Sequence, residues 1–195
     1  WGIALHDSLR LVASYGTAFK APSFNDLYFP ASGNTALLPE ESDTYELSLK
    51  GQLQRMSWQT ALYQTSFENL IAWAPDSSGN WSPSNINQAR IRGLEISADY
   101  LWQQWSLSGN LAFIDPENRS GVNKGNRLRR RAEKIANIAL DRNFADLALG
   151  VTLHAEGPRY TSDSNTAALD KQYQTVKGYN QVGLTALFTL AYQPQ

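Results

Sequence analysis

The strongest constraint on this chain is a strict two-residue alternation. Between Ser8 and Phe19, the residues Leu9, Leu11, Ala13, Tyr15, Thr17 and Phe19 share one parity, and Arg10, Val12, Ser14, Gly16 and Ala18 the other. Successive side chains of a β-strand point to opposite faces, so this stretch is a strand with one apolar face and one small or polar face. The pattern returns. Tyr45, Leu47 and Leu49 alternate with Glu46, Ser48 and Lys50; Trp58, Thr60 and Leu62 with Gln59 and Ala61; Leu94, Ile96, Ala98 and Tyr100 with Glu95, Ser97 and Asp99. Trp105 to Phe113, Leu147 to Leu153 and Val182 to Tyr192 do the same. Leu128 to Leu140 has helical propensity, but its neighbours and Arg-rich start make it a strand with a loop leading in. The expected fold class is all-β and antiparallel.

The connections sort into two kinds. Short ones fall near His6-Asp7, Gly51 to Gln54, Trp102 to Gln104 and Arg142 to Phe144. Long ones fall at Lys20 to Glu41, Ser66 to Ser84, Asp115 to Arg127 and Thr161 to Gln174. A soluble β-sandwich has no reason to separate its connections in this way. An outer-membrane β-barrel does, with short turns at one rim and long loops at the other. Strands of about ten residues cross a bilayer when tilted. Aromatic residues near strand ends (Phe19, Trp58, Tyr100, Trp105, Phe113, Tyr192) suit the headgroup level. The first long loop starts where Pro22, which has no N–H for a ladder, follows Phe19 at the expected outer girdle. A short helical turn capped by Ser23 is permitted there.

Composition narrows the field. The 195 residues carry a net charge of -1, which gives no basic footprint for nucleic acid. There is no cysteine, hence no disulfide framework and no thiolate metal site. Six Trp, nine Tyr and seven Phe against 18% charged residues make an aromatic-rich, charge-poor chain. No apolar run approaches the roughly 20 residues of a spanning helix. A soluble sandwich packing its apolar faces inward stays the main alternative from alternation alone, and a passive porin is another.

Several segments, in order, resemble TonB-dependent outer-membrane receptors. They are "YGTAFKAPSFNDLYFP", "ALLPEESDTYELSLKG", "FENLIAW" (Phe67 to Trp73), "NINQARIRGLEISADY" (Asn85 to Tyr100) and "LRRRAEKIANIAL" (Leu128 to Leu140). The look is that of the cobalamin-receptor type, notably in "LRRRAEKIANIALD", "GPRYTSD" and "YQTVKGY". The resemblance implies a barrel of about 22 strands with a plug domain, located in the bacterial outer membrane. It implies import of a scarce bulky ligand such as cobalamin or a ferric siderophore, driven through TonB by way of the plug. Residues 1–195 then read as one barrel portion of about nine strands, the first cut short, without plug or closing C-terminal strand. Outer-membrane lipid and lipopolysaccharide would surround it. Such a chain is a transporter component and not an enzyme.

Candidate ligand residues are the loop aromatics Phe24, Tyr28, Phe29, Trp73, Trp81 and Tyr160, together with Arg159. The alternative for each is girdle packing or loop folding. Arg129, Arg130 and Arg131 form a basic run, read either as a patch for an anionic ligand or lipopolysaccharide phosphate or as a solvated strand entry. Arg90 and Arg92 share a face and are expected as lumen or rim charge. Asp115, Glu117 and Asn118, and Asp163, Asn165 and Asp170, are oxygen-rich loop sets that could serve calcium, though neither has EF-hand spacing. No metal ligand or cofactor is assigned. His154 has no nucleophile elbow or triad-like neighbour. The face of Leu147, Leu149, Val151 and Leu153 is expected to meet lipid, with Leu149 near the midplane.

Overall fold

In the computed structural model the alternating stretches pair with one another. The structure describes residues 1–75, 80–144, 147–160, 175–176 and 178–188. The strands are β1 (Gly2–His6), β2 (Leu9–Lys20), β3 (Glu40–Leu53), β4 (Met56–Pro75), β5 (Trp81–Trp102), β6 (Trp105–Asn118), β7 (Lys134–Asn143), β8 (Leu147–Glu156), β9 (Arg159–Tyr160), β10 (Thr175–Val176) and β11 (Tyr179–Phe188). Nine of them form one antiparallel sheet in the order β1-β2-β3-β4-β5-β6-β7-β8-β11, and β9 pairs with β10. Every strand of the large sheet lies beside its neighbour in sequence along that order, an up-and-down arrangement. A sandwich would divide these strands between two packed sheets, and they are not so divided. The one α-helix among the described residues, α1 (Phe24–Tyr28), is a single turn.

The rims separate as expected, with two corrections. One rim turns at Asp7-Ser8, at Gln54-Arg55 and at Gln103-Gln104, where Gln103 takes φ 56°. The second turn falls beyond Gly51 because the β3 ladder runs on to Leu53↔Met56. At the other rim, the expected loop from Ser66 to Ser84 is largely a hairpin. Pairing of β4 with β5 holds from Met56↔Tyr100 to Pro75↔Trp81, so backbone groups past the bilayer zone still satisfy one another. The Lys20 to Glu41 connection does leave the sheet, and β6 ends at Asn118 before a 3-10 turn, Gly121–Asn123. The Thr161 to Gln174 connection lies outside the described residues.

Register assigns the faces. Ala13, Leu47, Leu62, Leu94 and Phe113 line up directly across β2 to β6. Further along, Ile138, Leu153 and Val182 lie on one cross-strand row. These side chains are exposed where they stand: Leu62 58%, Leu47 49%, Val182 65%. Apolar side chains left open in one continuous band suit lipid, not a sheet–sheet core. The band slides along the register. On β2 it runs from Leu9 up to Phe19, but on β5 it occupies Leu94 to Trp102 and on β8 Leu147 to Leu153. Strands inclined to a membrane plane require this slide.

Aromatic residues mark the edges. At the short-turn rim the Trp58 indole covers Gly51, whose missing side chain makes the room; a Cβ there would collide with the ring. Arg142 stacks on Trp105 (4.9 Å) and Phe144 (4.6 Å). Arg142 lies directly opposite Leu149, so Leu149 belongs near this girdle, and Val151 is closer to the middle of the band. Toward the other edge, Tyr15 and Tyr45 are in ring contact at 4.9 Å.

The opposite face is polar and small. Asn137 Nδ2 donates to Asn110 Oδ1 at 2.8 Å, and His154 Nδ1 meets Asn137 Oδ1 at 2.5 Å. Tyr179 Oη lies 3.3 Å from His154 Nε2. These residues share the lumen parity and form a cross-strand polar ladder, which explains His154 without catalysis. Among the described residues, one buried apolar cluster, Leu70, Ala89, Ile91 and Leu128, sits at the long-loop end. It forms because Asn69, at φ 55°, interrupts the alternation and lets Leu70 and Ile86 join Ala89 and Ile91.

Candidate functional site

The long-loop end is built around a helical turn clamped to a hairpin. Ser23 caps α1 through a full capping box: Asp26 N donates to Ser23 Oγ (3.2 Å) and Ser23 N donates to Asp26 Oδ2 (2.9 Å). The Ser23 hydroxyl adds a 2.6 Å bond to the same oxygen. The other carboxylate oxygen, Oδ1, accepts from the Trp73 indole at 2.8 Å. Asp26 is thereby buried with both oxygens used. Burial pushes its pKa up, but the donors from Ser23 and Trp73, with Lys20 nearby, outweigh burial and hold it below the usual carboxylate range.

Further bonds seat the loop on the β4–β5 hairpin. Asn34 Nδ2 donates to Pro83 O (3.1 Å), and Asn85 exchanges bonds with the Leu38 backbone in both directions (2.9 and 3.0 Å). Glu40 accepts from Ile71 N (2.8 Å) and from Lys20 Nζ (3.2 Å). Gly33 is tied to Phe29 O at 2.7 Å, so close to the Leu27 carbonyl that a Cβ would clash.

Five of the sequence-derived candidates meet here. Phe29 packs edge-on against Trp73 at 5.8 Å. Arg129 donates to the Trp73 carbonyl. The Arg129 and Arg130 guanidinium groups lie 5.7 and 5.0 Å from the Trp81 ring centre. Trp81 is 40% exposed, so its ring is open to a ligand while cations flank it. Arg130 holds φ 56°, a conformation uncommon for a branched-free long side chain and costly by roughly 1–2 kcal/mol. Arg130 N also donates to Tyr160 O (2.9 Å), which brings β9 beside the arginines.

The remaining candidates stand apart. Phe24 and Tyr28 contact each other at 5.0 Å and are exposed. Arg159 pairs with Glu156 at 3.0 Å. Arg131 is half-buried and makes no ion pair among the described residues. Arg90 and Arg92 are not lumen groups. Unbroken register gives them the parity of Leu94 and Ile96, so they face outward above the apolar band. Arg90 pairs with Glu117, which also binds Arg119 (2.9 Å), and Arg92 Nε donates to Gln64 Oε1 (3.0 Å). Asp115 pairs with Arg127 and Asn118 accepts from Ser120 N, so this oxygen set does not converge on a cation. Among the described residues no group of three or more His, Cys, Asp or Glu could hold a metal. Asp163, Asn165 and Asp170 lie outside the described residues.

Sequence reasoning missed Asp26, Glu40 and Asn85. The spacing Ser23-x-x-Asp26 was a readable capping signal. The contacts of Glu40 and Asn85 join segments about 30 and 47 residues apart and had no local signature.

Comparison with known proteins places this architecture. The family described as "TonB dependent receptor-like, beta-barrel" matches residues 2–195. A protein of Photobacterium profundum named vitamin B12 transporter BtuB is 37% identical over 166 residues, covering 83% of this chain and 27% of that protein. A protein of the same name from Vibrio vulnificus is 46% identical over 98 residues, 50% of this chain and 16% of that one. The chain thus spans about a quarter or less of these relatives. Among solved structures, the ferric enterobactin receptor PfeA of Pseudomonas aeruginosa aligns with TM-score 0.74 at 20% identity, over 97% of this chain and 32% of that one. The ferric yersiniabactin receptor FyuA of Yersinia pestis gives 0.72 at 20%, over 95% and 28%. The single open-faced sheet, its segregated rims and these matches agree: the chain belongs to the TonB-dependent receptor family, as part of the β-barrel.

Proposed function

We propose that this chain forms part of the barrel wall and ligand-binding rim of an outer-membrane receptor that imports a corrinoid of the vitamin B12 class. Capture takes place at the long-loop rim, and passage follows through a lumen gated by a plug, with energy from TonB. The observation that carries the reading is the clamped platform of Trp73, Trp81 and Phe29 with Arg129 and Arg130. A rigid aromatic surface loses little entropy on binding a broad ligand, and flanking cations suit amide and phosphate oxygens at its edge.

The choice of corrinoid over siderophore rests on similarity. The relatives named as vitamin B12 transporters share 37% and 46% identity with this chain. The siderophore receptors share 20% and speak for the fold alone. Uptake of radiolabelled cyanocobalamin by cells whose only corrinoid receptor is the full-length protein tests this. Accumulation that needs TonB supports it. Accumulation of a ferric siderophore without cyanocobalamin would replace the ligand, and equal uptake without TonB would make the protein a passive channel.

A further inference from the structure

The lumen face carries one row of polar side chains that crosses the sheet from β2 to β11. Gln59, Ser97, Asn110, Asn137, His154 and Gln181 stand directly opposite one another across β4 to β8 and β11. The row continues through Lys50 on β3 to Arg10 on β2. At the usual strand spacing it is about 34 Å long. It also changes height along the wall. Arg10 lies at the start of β2, beside the short-turn rim, and His154 lies near the end of β8, toward the long-loop rim. Two hollows follow it. One of about 480 Å³ lies over Asn110, Asn137, His154 and Gln181, and one of about 500 Å³ over Arg10, Lys50 and Gln59. Ser97 and Asp99 line both, so the two adjoin.

The chemistry changes along the row. Its upper part is amides, a hydroxyl and an imidazole. Asn110, Asn137 and His154 are linked side to side, which holds the amides in place. Each amide has more hydrogen-bonding positions than these links use, so it can also serve a passing group. The lower end is cationic. Arg10 stands directly opposite Lys50, and neither forms an ion pair among the described residues. Asp7 and Asp99 line the same hollow without pairing with them. Like charges directly opposite on neighbouring strands cost free energy, and an anion between them removes that cost. The Arg10 guanidinium lies over Gly2 on β1, where the missing side chain leaves it room on the side away from Lys50.

We propose that this row is a transit site for the imported ligand. A corrinoid passes its ring amides from one Asn or Gln to the next, and its phosphodiester is drawn down to Arg10 and Lys50. Neutral hydrogen bonds are individually weak, so the ligand can bind at many points and leave each one, as passage requires. The proposal rests on the corrinoid reading above and gives the same ligand a second place, deep in the lumen. The competing occupant is a plug anchored on the two cations.

Uptake by cells whose only corrinoid receptor is the full-length protein tests it, with cyanocobalamin and with dicyanocobinamide, which keeps the ring amides and lacks the phosphate-bearing nucleotide. R10A/K50A should slow cyanocobalamin uptake about tenfold relative to dicyanocobinamide, the loss of one charge-assisted contact. Affinity for both, set at the loop rim, should stay as in the wild type. R10K/K50R, which keeps both charges, should restore the rate. Unchanged uptake in R10A/K50A overturns the proposal. So does equal slowing of the two corrinoids, which is what loss of a plug anchor would give. If R10A/K50A lacks a folded barrel's heat-shifted gel mobility, K50Q alone should show the same selective loss, about threefold; a folded K50Q receptor without it overturns the proposal. A wild-type receptor that takes up neither corrinoid overturns the corrinoid reading itself, a separate outcome.

Discussion

The Trp73 indole donates to Asp26 Oδ1 across 2.8 Å and 47 residues of sequence. This bond locks the helical turn of one long loop to the tip of the neighbouring hairpin. It also fixes the ring that Phe29 packs against and the strand end that Arg129 holds. Trp73→Phe keeps the ring and removes the donor, leaving a buried carboxylate oxygen without its partner. The loop should lose about 1.5–3 kcal/mol of local stability. Hydrogen exchange on the full-length receptor should show faster exchange at Leu27 and Phe29, whose amides bond within α1, with the membrane strands unchanged.

The same carboxylate makes the loop acid-sensitive. Its folded pKa lies below the unfolded value, so its stabilisation is full above the unfolded pKa and is lost as pH falls through the folded one. Ligand binding should therefore be flat at neutral pH and weaken only in the acid range, below about pH 4. Asp26→Asn should weaken binding at neutral pH and abolish that acid limb. A titration of ligand affinity against pH with both proteins checks it.

Arg130 combines a left-handed backbone with a guanidinium near Trp81. Arg130→Gly should relieve the backbone cost and stabilise the loop by up to about 1 kcal/mol, yet weaken ligand binding. A change in which stability and affinity both fall would show that the conformation is not strained. Limited proteolysis of the loop, run beside a binding assay, separates the two effects.

Val151 sits near the middle of the outward apolar band. Val151→Arg should cost roughly 2–4 kcal/mol in a urea folding titration into bilayers, and Thr152→Arg, on the lumen face, far less. Similar costs for the two would mean that the faces are reversed.

Much of the barrel was legible because its physics is local. Alternation is set by the strand itself, so Leu94 to Tyr100 and Leu147 to Leu153 declare their outward face without tertiary information. The break at Lys20-Ala21-Pro22 declared a strand end, and β2 stops at Lys20. Where the sequence misled, a single residue or a distant partner decided. Nothing in "SFENLIAWAP" announced that Asn69 would turn left-handed, that Leu70 would join the Ala89 and Ile91 cluster, or that the hairpin would keep its register to Pro75. Arg90 and Arg92 were expected as lumen or rim charge, and only register with Leu94 gives them the outward parity above the apolar band. The loop aromatics were named as one group, but Phe29, Trp73 and Trp81 meet near the arginines, with the Tyr160 backbone bonded to Arg130, while Phe24 and Tyr28 pair with each other; Asp26 and Asn85 draw the two remote segments together. Such contacts carry no periodicity to read.

The most direct measurement is equilibrium binding of cyanocobalamin to the full-length receptor and to its Trp81→Ala variant. Loss of one stacked aromatic anchor should weaken binding by roughly 2 kcal/mol, about thirtyfold, with the barrel still folded. Wild-type affinity in the variant, or no cyanocobalamin binding by the wild-type receptor, would contradict the loop-rim platform as the corrinoid site.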